Sequence, residues 1–137
     1  MNIVSYNVRG LGRGVKWAAI RKLRKMEQAD MICLQETKKE TIDKAMCQAT
    51  WTMQPANNTA GGILCMWTEN SFKLHRKVIG NGFVFLMGEW VKEAQQINII
   101  SIYSPCDIHN KRILWESIKQ LKGAMVGGLW CLLGDFN

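Results

Sequence analysis

Four short apolar runs in this sequence each stop at a polar side chain. Residues 2–8 form a strand pattern with Asn7 at its exit, followed by Arg9-Gly10-Leu11-Gly12. Residues 31–36, Met-Ile-Cys-Leu-Gln-Glu, put Glu36 just after a second run, and residues 97–105 bring Tyr103 to the end of a third. Leu129–Leu133 leads into Gly134-Asp135-Phe136-Asn137. Side chains at i and i+2 of an extended segment point the same way, so Asp135 and Asn137 converge on one phosphate or one water. Ligand sites in α/β sheets collect at strand ends. The pattern therefore calls for an α/β sheet protein with one site built from several strand exits.

The remaining elements fit that class. Residues 15–28 predict a helix with Trp17, Ile20 and Leu23 on one stripe, and residues 40–49 a shorter one. Asn57 to Gly62 is a turn signal, and strands are expected at about 62–68, 72–79, 82–90 and 95–103. A second clear helix follows Asp107 as N-cap, with Ile113, Leu114, Ile118 and Leu121 on one face and Gly123 near its end. No linker, repeat or low-complexity tract interrupts the 137 residues, so one domain is expected.

The net charge is +7. Basic residues cluster at Arg9, Arg13 and Lys16, along Arg21–Lys25, and at Lys38-Lys39. A basic field attracts polyanions. The Arg21–Lys25 run reads as the wet face of a helix, whereas Arg9 and Arg13 flank the loop beside Asn7 and are the better phosphate ligands. Five cysteines (33, 47, 65, 106, 131) lack CxxC spacing, and Cys33 and Cys131 sit in apolar runs as small core residues. His75 and His109 match no motif and read as structural or exposed. No secretory signal and no membrane-spanning run is visible, which places the chain in an intracellular, thiol-reducing compartment, with the nucleus as one location.

The segments Ser5-Tyr6-Asn7-Val8-Arg9-Gly10-Leu11-Gly12, Leu34-Gln35-Glu36-Thr37-Lys38, Ile102-Tyr103-Ser104-Pro105 and Gly134-Asp135-Phe136-Asn137 occur in this order. The chain thereby resembles the endonuclease/exonuclease/phosphatase superfamily. Within it, the likeness is to the endonuclease domain of plant LINE-type retrotransposons, and it spans residues 1–137. Each motif alone is weak; four in order at strand ends are strong together. The resemblance implies a DNase I-like two-sheet α/β sandwich, here partial, with the C-terminal part missing: roughly the first of two pseudo-symmetric halves plus one strand.

The resemblance also implies roles. Glu36 and Asn7 would hold Mg²⁺, with Mn²⁺ as substitute. Asp135 would orient or deprotonate the attacking water, and Asn137 and Tyr103 would donate to the phosphate. The partner would be DNA. Each residue alone has a plainer reading: Asn7 a turn former, Glu36 a solvated strand exit, Tyr103 an ordinary strand end, Asp135 a helix cap. The family's later Asp and Ser-Asp-His motif do not occur in the sequence, and Cys106 stands where many relatives carry Asn. The expected function is a fragment of a Mg²⁺-dependent DNA-nicking phosphodiesterase, inactive as it stands. The alternatives are a non-catalytic nucleic-acid-binding remnant and a phosphatase of the same superfamily. A missing half is further expected to leave some tryptophans without a core. It would also expose the apolar faces of Leu129–Leu133, Ile63–Met66 and Phe83–Leu86.

Overall fold

The structure, a computed structural model, describes residues 1–12, 15–47, 49–57, 60–125 and 127–136. Strand β1 (Ile3–Asn7) runs parallel to β2 (Met31–Gln35), with helix α1 (Val15–Glu27) as the crossover. After the short helix α2 (Lys44–Cys47), strands β3 (Thr50–Gln54) and β4 (Ile63–Trp67) pair antiparallel, and β4 docks antiparallel on β2. The second sheet is a meander of β5 (Phe72–Gly80), β6 (Phe83–Trp90) and β7 (Gln95–Tyr103). Helix α3 (Ile108–Ala124) then carries the chain to β8 (Leu129–Asp135), which lies parallel to β7. The strand orders are β1-β2-β4-β3 and β5-β6-β7-β8.

Strand periodicity of two sorts the apolar residues into three cores. Met31, Cys33, Ile63, Cys65, Val84, Leu86, Ile97 and Ile99 face the gap between the sheets. There Phe72 stands edge-on to Trp67 and Trp90, with centroids 5.6 and 5.3 Å away. The alternate residues Ile32, Leu34, Leu64 and Met66 receive Trp17 and Ile20 of α1. On the other outer face, Phe83, Phe85, Ile100 and Ile102 receive Leu114 and Ile118 of α3. Strands apolar on both faces are what a helix–sheet–sheet–helix stack requires. Each fully buried large side chain contributes about 1.5–3 kcal/mol. The two-sheet α/β sandwich expected from the sequence is the one found.

Several local expectations need correction. Strand β3 was not anticipated: of its five residues only Thr52 is buried, so its apolar signal is weak. The helix expected over residues 40–49 contracts to Lys44–Cys47. Ile113 is 48% exposed, because the buried stripe of α3 runs through Leu114 and Ile118. Of the tryptophans, Trp17, Trp67 and Trp90 are buried within the chain's own cores, while Trp115 is 41% exposed. Ile63–Met66 and Phe83–Leu86 are at most 5% exposed, since β4 and β6 are interior strands. Of the three segments expected to expose apolar faces, Leu129–Leu133 does so, with Leu129 52% and Leu132 41% exposed. Cys33 is buried and Cys131 packs against the same core, while His75 and His109 are exposed.

Edge strands β1 and β8 face each other on one side of the sandwich, and β3 lies over β5 on the other. No helix among the described residues is long and apolar enough to cross a membrane.

Candidate active site

The inner faces of β1, β2, β7 and β8 change character toward their C-terminal ends. Their first inward residues, Ile3, Met31, Ile97 and Cys131, belong to the inter-sheet core. One layer up, the buried Gln35 amide of β2 donates to Ser5 Oγ of β1 at 3.1 Å and to Ser101 Oγ of β7 at 3.3 Å. It also donates to the Cys33 carbonyl at 3.2 Å. Gln35 is 1% exposed, so it is a polar tie between the sheets. Above it lie Asn7, Glu36, Tyr103 and Asp135.

These four close a ring. Asn7 is in register with Gln35, next to Glu36, in the first sheet; Tyr103 is in register with Asp135 in the second. Two hydrogen bonds cross between the sheets. Asn7 Nδ2 donates to Asp135 Oδ2 at 2.8 Å, and Tyr103 Oη donates to Glu36 Oε1 at 2.8 Å. The Ser104 amide also donates to the Asp135 carbonyl at 2.9 Å. Burial first, and the accepting Glu36 carboxylate second, push the Tyr103 phenol up to about 12. It stays protonated at neutral pH and acts as a hydrogen-bond donor, not as a base.

Backbone geometry aims these groups. Arg9, Glu36 and Lys38 all adopt left-handed conformations, with φ of 51°, 56° and 56°. Such conformations cost of order 1–3 kcal/mol each and persist where the surroundings over-determine them. Here the Gly10 amide donates to the Glu36 carbonyl at 2.6 Å, Leu11 to Thr37 at 2.9 Å, and Lys38 to Gly61 at 2.8 Å. Gly62 packs beneath this turn, and a Cβ there would meet Thr37 Oγ1. Gly134, at φ +128°, brings β8 so close to β7 that a Cβ would meet the Ile102 backbone. The glycine before Asp135 is therefore a steric requirement.

The basic residues divide. Lys16 Nζ donates to the carbonyls of Val8 at 2.8 Å and Gly10 at 2.6 Å, so it clamps the β1–α1 loop. The Arg9 amide donates to Asn7 Oδ1 at 3.0 Å, and its side chain is exposed at the rim. Lys38 Nζ lies 3.7 Å from Glu36 Oε2. A groove of about 890 Å³ beside the ring is lined by Asn7, Arg9, Lys16, Ile20, Leu23 and Asp135. Of the expected site residues, Asn7, Glu36, Tyr103 and Asp135 converge, and Arg9 flanks them. Arg13 and Asn137 lie outside the described residues. Gln35 was not singled out from the sequence. Its one signal is an amide that continues the fully buried β2 pattern.

No protein-family model matches the chain, and no curated protein sequence matches it. Solved structures do match. An AP endonuclease from Archaeoglobus fulgidus superposes with a TM-score of 0.69 at 15% identity, covering 96% of this chain and 56% of that one. The human nocturnin catalytic domain, with bound sulfate, gives 0.68 at 17% identity, with 98% and 63% coverage. TDP2 from D. rerio, complexed with a single-strand DNA product, gives 0.67 at 14% identity, with 97% and 59% coverage. The chain thus spans between 56% and 63% of the length of these structures. The likeness is one of fold, and the fold is the DNase I-like two-sheet α/β sandwich.

Proposed function

We propose that the ring of Asn7, Glu36, Tyr103 and Asp135 belongs to a metal-dependent phosphodiesterase site that nicks DNA. The observation that carries this reading is the pair of hydrogen bonds, Asn7 to Asp135 and Tyr103 to Glu36, which unite four strand ends at one rim. Two carboxylates at one rim repel a phosphodiester unless a cation lies between them. The donors are hard oxygens, which suit Mg²⁺, an ion that uses one or two carboxylates and keeps several waters. A carboxylate and an amide oxygen supply two ligands, a set that suits an ion keeping the rest of its shell as water. Glu36 and Asn7 would hold it, with Mn²⁺ as a substitute. When bound, the ion neutralises charge on the phosphoryl oxygens and the leaving oxygen. Tyr103 would give its one O–H to a non-bridging oxygen on turning from Glu36 Oε1, which the metal would then occupy; Asp135 would orient the attacking water, and Arg9 and Arg13 would hold the neighbouring phosphates. Asn137 adds a further donor.

The match of the AP endonuclease and TDP2 folds, the net charge of +7 and the four ordered motifs support DNA as substrate. The motifs further support a LINE-type retroelement endonuclease, in which residues 1–137 are part of the domain. Plasmid nicking tests the reading, using the chain joined to the C-terminal portion of a matched structure. Nicking that requires Mg²⁺ and disappears in Glu36→Gln is expected; nicking that survives chelator and Glu36→Gln overturns it. Neither His75 nor His109 hydrogen-bonds to the ring among the described residues. The chain alone should therefore turn over about 10²–10⁴-fold more slowly, the loss typical of an absent acid–base group.

A further inference from the structure

The flank of α3 beside β8 carries a feature that the ring does not use. Trp115 is 41% and Phe136 44% exposed. Their rings stack with centroids 6.1 Å and planes 12° apart. Phe136 directly follows Asp135 at the same end of β8, with its ring on the helix side of the sheet, where Trp115 lies. A helix winds about 100° per residue, which sets the exposed Arg112, Trp115, Lys119 and Lys122 within about 80° of one another. Ile108 shares that arc and Glu116 lies about 40° beyond Arg112, so Trp115, with Phe136 stacked on it, sits among three cations with one carboxylate at the stripe's edge.

We propose that this flank binds single-stranded nucleic acid, the bases stacking on the Trp115–Phe136 pair and the phosphates following the basic stripe. The proposal rests on reading the ring as a phosphodiester site, toward which the platform would lead a strand. Two exposed rings ask for a partner with a flat π-face, and the cations around them ask for repeated negative charge. An unpaired strand offers both, whereas a duplex hides its bases. An apolar protein surface would leave the cations facing nothing.

The test is fluorescence anisotropy of a labelled oligothymidylate with the full chain in EDTA, with tryptophan emission followed in parallel. The expected result is tighter binding of the single strand than of a duplex, with quenching. Trp115→Ala should weaken binding about 5-fold or more, and Trp115→Phe should recover most of it. The exposed pair Lys119→Glu with Lys122→Glu provides a second variant set outside the packed core, expected to weaken binding and reduce its salt dependence. Trp115→Ala and the lysine variants binding like wild type would overturn the proposal, as would duplex binding of equal strength without quenching. A concentration-dependent dimer abolished by Trp115→Ala, with oligonucleotide binding unchanged, would assign the flank to a second copy and also overturn it. The binding assay in EDTA reads the flank without the metal that nicking requires. A failed nicking assay therefore sinks the phosphodiesterase reading alone, and failed binding sinks the platform alone.

Discussion

Tyr103 is the residue whose environment makes the sharpest demand. Its phenol is raised from 10.0 to about 12, by burial first and by the Glu36 carboxylate second. A folded value above the unfolded one means the proton is held more tightly in the native state. The associated stability is present below pH 10.0 and lost as pH rises toward 12. The chain has two tyrosines, so a Tyr6→Phe background isolates this one. Ultraviolet titration should then place its ionisation near pH 12, and Glu36→Gln should bring it down part of the way, leaving the share due to burial. Ionisation near pH 10 in the folded chain, unmoved by Glu36→Gln, would contradict the bond. The four ring residues were legible because each ends an apolar run within an ordered motif. The inter-sheet role of Gln35 was not, because its partners Ser5 and Ser101 lie 30 and 66 residues away. Nor was the clamp made by Lys16, which a count of basic residues groups with phosphate ligands.

Among the elements, β8 is the most exacting, because Gly134 lets it close on β7. In Gly134→Ala the new Cβ meets the Ile102 backbone at a φ that L-residues rarely adopt. The expected loss is about 1–3 kcal/mol, read from the urea midpoint, together with faster amide exchange along Leu129–Asp135. A variant as stable as wild type would mean that β8 has room to shift. The cap of α3 was readable from sequence, and Asp107 accepts from the Asn110 amide at 2.8 Å as expected. The one-sided stripe of α1 was also readable, as were β2, β4, β6 and β7, where burial on both faces leaves a strong pattern. Strand β3 escaped notice because an edge strand buries little, and its pairing partner β4 supplies the apolar signal for both.

At the scale of the whole molecule, the asymmetry lies between the two sides of the sandwich. The β1–β8 side carries Tyr6 at 57%, Leu129 at 52%, Leu132 at 41% and Phe136 at 44% exposure. Unpaired edges with exposed apolar side chains recruit other chains. The chain alone is expected to self-associate as concentration rises, and Leu129→Lys with Leu132→Lys should restore the monomer in sedimentation velocity. A wild-type chain that stays monomeric at high concentration would refute this. The hydrogen bond from Asn7 to Asp135 joins residues 128 positions apart, between the first strand and the last. Contacts of such separation form late in folding, after the loop-closure entropy of everything between them has been met. The ring therefore has a place in time as well as in space. A chain still emerging from the ribosome, with β1, β2 and β7 already paired, holds Asn7, Glu36 and Tyr103 but not yet the carboxylate that closes the ring.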